Sequence, residues 1–227
     1  MRVLPNKSVG LTGLRPSVSW RQADNGDRVC LMRVCSSTPS RQRHESTSCQ
    51  RSVMTMTIFL RGGSLDVRAA TQDDRDVILE VYRQCEDFLA LGPQPNATMA
   101  MVLEDLEASR QRGAFFCGVH DAAGTMVGVV EFAPGGSGGK PGVAFISLLM
   151  LVPRVRGRGV GTEVLRLIER EIQKDPRVRA IGSAVQVNNP DAQRFWLRHG
   201  YRITGEPELR PDGTTVLHLH KDCGQVS

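Results

Sequence analysis

Apolar residues recur along this chain with two periods, and the changes between them mark its elements. Leu65–Ala69 alternates like a strand. Thr71 then opens a helix reaching about Leu89, with Asp73, Asp74 and Asp76 near its positive end. Gly92, Pro93 and Pro95 break the pattern at 91–96, and helical spacing returns from Thr98 to Arg112. Ala114–His120 and Thr125–Phe132 read as a hairpin about the turn DAAG. Pro134–Gly142 (PGGSGGKPG) reads as a flexible loop. The near-continuous apolar run Val143–Val152 is expected as a central strand, followed by a helix over Gly159–Lys174 and a strand over Val178–Val187. Asn188 or Asn189 caps a further helix with Pro190 near its first position, and Gly200 stops it. A strand starts at Tyr201, and the last strand, about Thr214–His220, follows a turn at Pro211-Asp212-Gly213. The part after residue 62 is about 165 residues long, enough for one domain with a sizeable core.

Between the apolar run and the next helix lies VPRVRGRGVGT, with glycines at 157, 159 and 161. A strand, a glycine elbow and a helix start together make an anion site from backbone alone. The first N–H groups of the helix point outward unpaired, and its dipole adds partial positive charge. The spacing is G-x-G-x-G. It lacks both the G-x-G-x-x-G of a dinucleotide fold and the G-K-[ST] of a triphosphate loop. What remains is Arg156-x-x-Gly159-x-Gly161, which resembles the acyl-CoA-binding motif of the GCN5-related N-acetyltransferases (GNAT). A second segment strengthens the resemblance: Asn189, Ala192, Phe195, Trp196, Gly200 and Tyr201 match that family's Asn-x-x-Ala, aromatic pair and Gly-aromatic. The likeness covers about Leu65 to His220, and the element order β-α-α-β-β-β-α-β-α-β-β agrees with it.

The first sixty residues differ in composition. Residues 1–61 carry ten basic side chains against Asp24, Asp27 and Glu45, a balance of +7. The remaining nineteen basic and twenty-one acidic residues give −2, so the net +5 arises wholly from the N-terminal segment. A basic chain ordinarily points to nucleic acid or membrane surfaces, but a near-neutral folded part argues against both. Residues 1–62 are read as a basic extension in one of three ways: a disordered tail, an Arg- and Ser-rich presequence, or an over-extended start with translation beginning at Met54 or Met56. Residues 63–222 form the expected domain and 223–227 a tail. No run of ~20 apolar residues suggests a membrane span. Cys30, Cys35, Cys49, Cys85, Cys117 and Cys223 show no zinc-like spacing, so no metal is expected, and a reducing, cytoplasmic setting fits.

The resemblance implies an α/β (α+β) fold with a mixed, mostly antiparallel central sheet flanked by helices. The central strand and the next would splay apart at a bulge to open the cofactor groove. It implies acetyl-CoA as co-substrate, a small-molecule or peptide amine as acceptor, and a homodimer as one possible assembly. Carried over residue by residue, Arg156, Gly157, Arg158, Gly159, Val160, Gly161 and Thr162 cradle the pyrophosphate, chiefly through backbone N–H groups, with Thr162 Oγ an extra donor. The pantetheine arm pairs with the strand end near Leu151 and Val152. A backbone N–H between Leu149 and Leu151 faces the thioester oxygen, and Asn189 holds the far side of the arm. Arg156 and Arg158 also read as a solvated basic turn, and Asn189 as a helix cap alone.

Two chemical roles are open. Glu131, in VVEF, is the candidate base, a carboxylate at a strand end where the acceptor site opens; the alternative is a solvent-facing strand residue. His120 is expected to be exposed. Trp196 stands where the family often has a tyrosine acid, and an indole N–H cannot supply a proton, so Trp196 is expected to pack or shape the site. Tyr201 and Phe195 read as core. A non-catalytic acyl-CoA-binding module and a nucleic-acid-binding protein driven by the basic segment are the competing classes.

Overall fold

The computed structural model describes the backbone of residues 17–22 and 28–33, and residues 58–135 and 140–224. Met54, Met56, Cys35 and Cys49 lie outside the described residues, as do 136–139 of the PGGSGGKPG loop. Contacts divide the chain at Ser52. In the first unit β1 (Ser17–Gln22) and β2 (Arg28–Arg33) pair antiparallel, within a segment whose sequence showed no period.

The second unit holds an eight-stranded sheet in the order β3-β4-β5-β6-β7-β8-β10-β9. The strands are β3 (Phe59–Arg61), β4 (Leu65–Ala69), β5 (Phe115–Asp121), β6 (Met126–Ala133), β7 (Val143–Leu151), β8 (Ala180–Gln186), β9 (Arg202–Leu209) and β10 (Thr215–Asp222). Every neighbouring pair is antiparallel except β7–β8. The sheet therefore starts earlier than expected. Phe59–Arg61 pairs with β4 and Ile58 is buried, so the boundary drawn at residue 62 falls inside the first hairpin.

The expected helix from Thr71 to Leu89 is divided. Thr71 caps a 3-10 turn over Gln72–Asp74 through a capping box. Its hydroxyl accepts from Asp73 N–H, and its own N–H donates to Asp74 Oδ2 at 2.8 Å. Then come α1 (Arg75–Gln84), a break at Cys85 (φ −112°, ψ 22°) and the single turn α2 (Glu86–Leu89). α3 (Met99–Arg112) is capped by Thr98 and closed by left-handed Gly113 (φ 66°). α4 (Val160–Ile172) follows β7, and α5 (Pro190–Arg198) follows β8, with Asn189 Oδ1 accepting Ala192 N–H at 3.0 Å as its cap.

All eight residues of β6 are buried. Alternate side chains of a strand face opposite ways, so helices cover both faces of the sheet centre. α1 packs on β6, α3 on β5, and α4 against β3, β4 and β7. The core is the apolar set those faces share, including Tyr82, Phe132, Ile146, Leu165, Ile168 and Ile181.

Two irregularities position the site. Glu131 pairs with Leu148 and Phe132 with Ile146, leaving Ser147 as an extra residue on β7, a β-bulge. Beyond it β7 and β8 part: their parallel pairing runs only from Val143–Ala180 to Ile146–Ser183. At the fork the Ser183 hydroxyl donates to the Ile146 carbonyl at 2.8 Å, closing the last shared rung.

Candidate cofactor and active site

Past the fork, β7 keeps its ladder to β6 on one side only. Val152 N–H donates to Val127 O at 2.9 Å, so the alternation of an antiparallel pair turns the amide groups of Leu149 and Leu151 away from β6, into the cleft. Both lie in the stretch where a thioester-facing N–H was expected. Val152 has no such N–H to offer, since β6 already takes it.

The elbow divides labour among its glycines. Gly157 (φ 69°) and Gly159 (φ 84°) hold left-handed conformations, and a Cβ at either would meet no protein atom within 4 Å. These two are glycine for the turn, and the space before them is open. Gly161 serves packing instead: a Cβ there would lie 3.3 Å from Phe195 Cε2 and 3.5 Å from Leu151 Cδ1. Arg156 N–H donates to Pro153 O and Glu163 N–H to Gly159 O. Between them, the N–H groups of residues 157 to 162 donate to no carbonyl of the described chain. Successive unpaired donors at the start of α4 suit an oxygen-rich anion.

The side chains depart from expectation. Arg156 does not reach toward the elbow's open side. Its Nε donates to Leu151 O at 2.7 Å, its Nη2 to Asp87 Oδ1 at 3.0 Å, and its Nη1 to Asp87 Oδ2. Asp87 is thereby held below the ordinary carboxylate range, chiefly by that guanidinium. Burial pushes the neighbouring Cys85 thiol up, and Arg156 opposes the rise. Thr162 Oγ1 lies 3.0 Å from His199 Nε2, and His199 Nδ1 lies 2.7 Å from Phe195 O. In the neutral ring, Nδ1 carries the proton and Nε2 accepts, so the Thr162 hydroxyl donates to His199 rather than outward. Arg158 is exposed and has no side-chain partner among the described residues.

Glu131 is 6 % exposed, which removes the solvent-facing alternative. Both carboxylate oxygens are engaged: Arg112 Nη2 donates at 2.6 Å and Ser147 Oγ, from the bulge, at 2.7 Å. Sequence reading missed this pairing because Arg112 comes from the far end of α3. A second partner it gave no sign of is that of Asp105, which accepts from Tyr82 Oη at 2.7 Å. Burial first, with help from Glu131, raises the Asp105 pKa, against the Tyr82 hydrogen bond and Arg112.

Asp105→Asn is expected to gain stability relative to wild type as pH rises. A raised folded-state pKa means the wild type is relatively favoured below the unfolded value, ~3.9, and loses that advantage as pH climbs through the folded value. Asparagine cannot ionise but still accepts from Tyr82. Denaturant unfolding of both proteins at pH 4 and pH 8 checks it; a difference independent of pH refutes it.

Trp196 is buried, edge-on to Tyr201 (4.7 Å between centroids) and Phe195 (5.6 Å). Tyr201 donates to Glu169 Oε1 at 2.9 Å, and burial pushes its phenol far up. Tyr201 is core, as read; Trp196, read as packing or shaping the site, is core too, and Phe195, read as core, is partly buried against it. His120, expected exposed, is half-buried with Nδ1 unpartnered, and burial lowers its pKa. Among the described residues no group of three or more His, Cys, Asp or Glu is placed to hold a metal, and no helix is long and apolar enough to cross a membrane. A pocket of about 370 Å³ opens between Leu91–Pro93, Val187–Asn188 and the β9–β10 turn at Asp212–Thr215.

The acetyltransferase (GNAT) family model matches residues 77–201, from α1 through the whole elbow to Tyr201. The chain belongs to this family. Solved GNAT structures share the fold. An acetyltransferase from Thermus thermophilus is 22% identical, with a TM-score of 0.60 over 73% of this chain and 100% of that one. The aminoglycoside acetyltransferase AAC(6')-Ib, solved with ribostamycin and coenzyme A, is 22% identical, with a TM-score of 0.59 over 70% and 93%. RimL, a ribosomal alpha-N-protein acetyltransferase, is 15% identical, with a TM-score of 0.61 over 74% and 96%. No curated protein matches the chain. The GNAT fold and the mostly antiparallel sheet expected from the two motifs are thus present.

Proposed function

We propose that this GNAT protein transfers the acetyl group of acetyl-CoA to a primary amine of a small molecule or peptide, by direct attack in a ternary complex. The observation that carries the reading is the parting of β7 from β8 beyond Ile146–Ser183, with the run of unpaired N–H groups at its mouth. Structural neighbours solved with coenzyme A or acetyl-CoA support it.

In this reading the backbone of Gly157 through Thr162 holds the pyrophosphate, and Arg158 adds an exposed positive charge. Leu149 and Leu151 offer cleft-facing N–H groups to the arm and the thioester oxygen, where developing negative charge is stabilised. Asn189 keeps its cap through Oδ1 and has its amide nitrogen left for the arm. The amine enters by the pocket beside Leu91–Pro93, loses a proton and attacks the thioester carbon; the carbon–sulfur bond breaks and the thiolate leaves.

Glu131 takes the proton through Oε1 or Oε2 only by giving up Arg112 or Ser147, or through water held by them. Glu131→Gln is expected to lower turnover at least about tenfold while leaving acetyl-CoA affinity unchanged. The measurement is thiol release with a panel of amines, beside calorimetric titration of acetyl-CoA. An unchanged rate removes Glu131 from the chemistry. Binding without turnover of any amine would favour the non-catalytic acyl-CoA module.

A further inference from the structure

The cleft between β7 and β8 is flanked by the segment running from α2 to Leu91, which is tied to both sides of it. On the β7 side, Arg156 bridges Leu151 O and the Asp87 carboxylate of α2. On the β8 side, Asn188 Nδ2 donates to Leu91 O at 3.0 Å, one residue before the Asn189 cap of α5. The segment between these ties is bonded internally: Ala90 N–H donates to Glu86 O, Leu91 N–H to Phe88 O, and Gly92 N–H to Leu89 O. Glu86 Oε1 also accepts Ala97 N–H at 2.9 Å, fixing the far end of the loop that walls the 370 Å³ pocket. Residues 86–91, α2 and the two residues after it, are thus joined to the end of β7 through a guanidinium and to the segment just past β8 through an amide.

From this we propose that Asp87 is a positioning residue: acting through Arg156, it couples the acetyl-CoA groove to the acceptor wall, so that filling the groove orders residues 86–97. The inference rests on the acetyl-CoA reading of the elbow. Its physical basis is that Arg156 carries the elbow's own backbone. A ligand that fixes the elbow fixes the guanidinium, and with it α2. Coupling of this kind is reciprocal, so an ordered α2 also tightens the groove.

The test is amide hydrogen exchange of the full chain with and without saturating coenzyme A, for wild type, Asp87→Asn and Asp87→Glu. In wild type, protection is expected both at the elbow (149–163) and at 86–97. Asp87→Asn is expected to keep elbow protection, lose the ligand-dependent protection of 86–97 and bind coenzyme A about fivefold more weakly. Asp87→Glu, which restores a carboxylate within reach of Arg156, is expected to recover part of both. Elbow protection with 86–97 responding equally in wild type and Asp87→Asn overturns the coupling and leaves the cofactor reading intact. No protection anywhere in wild type overturns both.

Discussion

Gly159→Glu is expected to abolish the rise in melting temperature that acetyl-CoA produces in the wild-type protein. Three effects act together. Gly159 sits at φ 84°, where a residue with a Cβ loses roughly 1–2 kcal/mol. The new side chain enters the open space before the unpaired N–H groups, where the anion would lie. Its carboxylate then repels that anion where α4 would attract it. A loss of affinity of about a hundredfold or more follows, because the phosphate contacts and the field reverse together; a hundredfold corresponds to about 2.7 kcal/mol. The check is the melting temperature at matched acetyl-CoA concentrations, since ligand stabilisation grows as the logarithm of one plus the ratio of ligand concentration to Kd. A shift as large as that of wild type would mean the cofactor does not sit on the elbow. Gly161→Ala is a useful contrast: it crowds Phe195 and not the anion space, so its first effect is on stability.

Trp196→Ala is expected to cost about 3–5 kcal/mol, the range for removing a large aromatic from a packed interior. The indole is 6 % exposed and sits edge-on between Phe195 and Tyr201. For a domain of this size the melting temperature falls by roughly 10 °C. Trp196→Phe separates packing from chemistry. It keeps an apolar ring and no N–H donor, so turnover should survive if the indole only packs. Turnover lost in Trp196→Phe at near-native stability would instead give the indole N–H a part in the reaction.

The readable and unreadable parts of this molecule differ in range. Caps and stops are local. Thr71, Thr98, Asn189 and Gly113 each act within a few residues, and the elements they bound lie close to the expected ones. The elbow is local too, since positive φ at 157 and 159 is a property of a short peptide. What stayed hidden is nonlocal. Arg156 looked like a phosphate ligand because nothing near it in sequence names Asp87 as its partner, 69 residues away. Glu131 read as free or solvent-facing because its partners arrive from α3 and from the bulge. Thr162 had a donor role on paper that His199, 37 residues on, has taken. Phe59–Arg61 escaped notice because a three-residue edge strand has no room to show a period.

The extra residue at Ser147 has a consequence for how this strand can vary. On the loop side of the bulge, Ala144 and Ile146 turn their amides toward β8; beyond it, Leu149 and Leu151 take that direction. The single insertion switches odd for even. Residues can be gained or lost in the connection between β6 and β7 without touching this bookkeeping, but the count from Ile146 to Gly157 is fixed in parity. Deleting one residue there would turn the cleft-facing donors into ladder donors and leave the groove lined by the wrong half of the backbone. The strand carries its chemistry as a register rather than as a side chain.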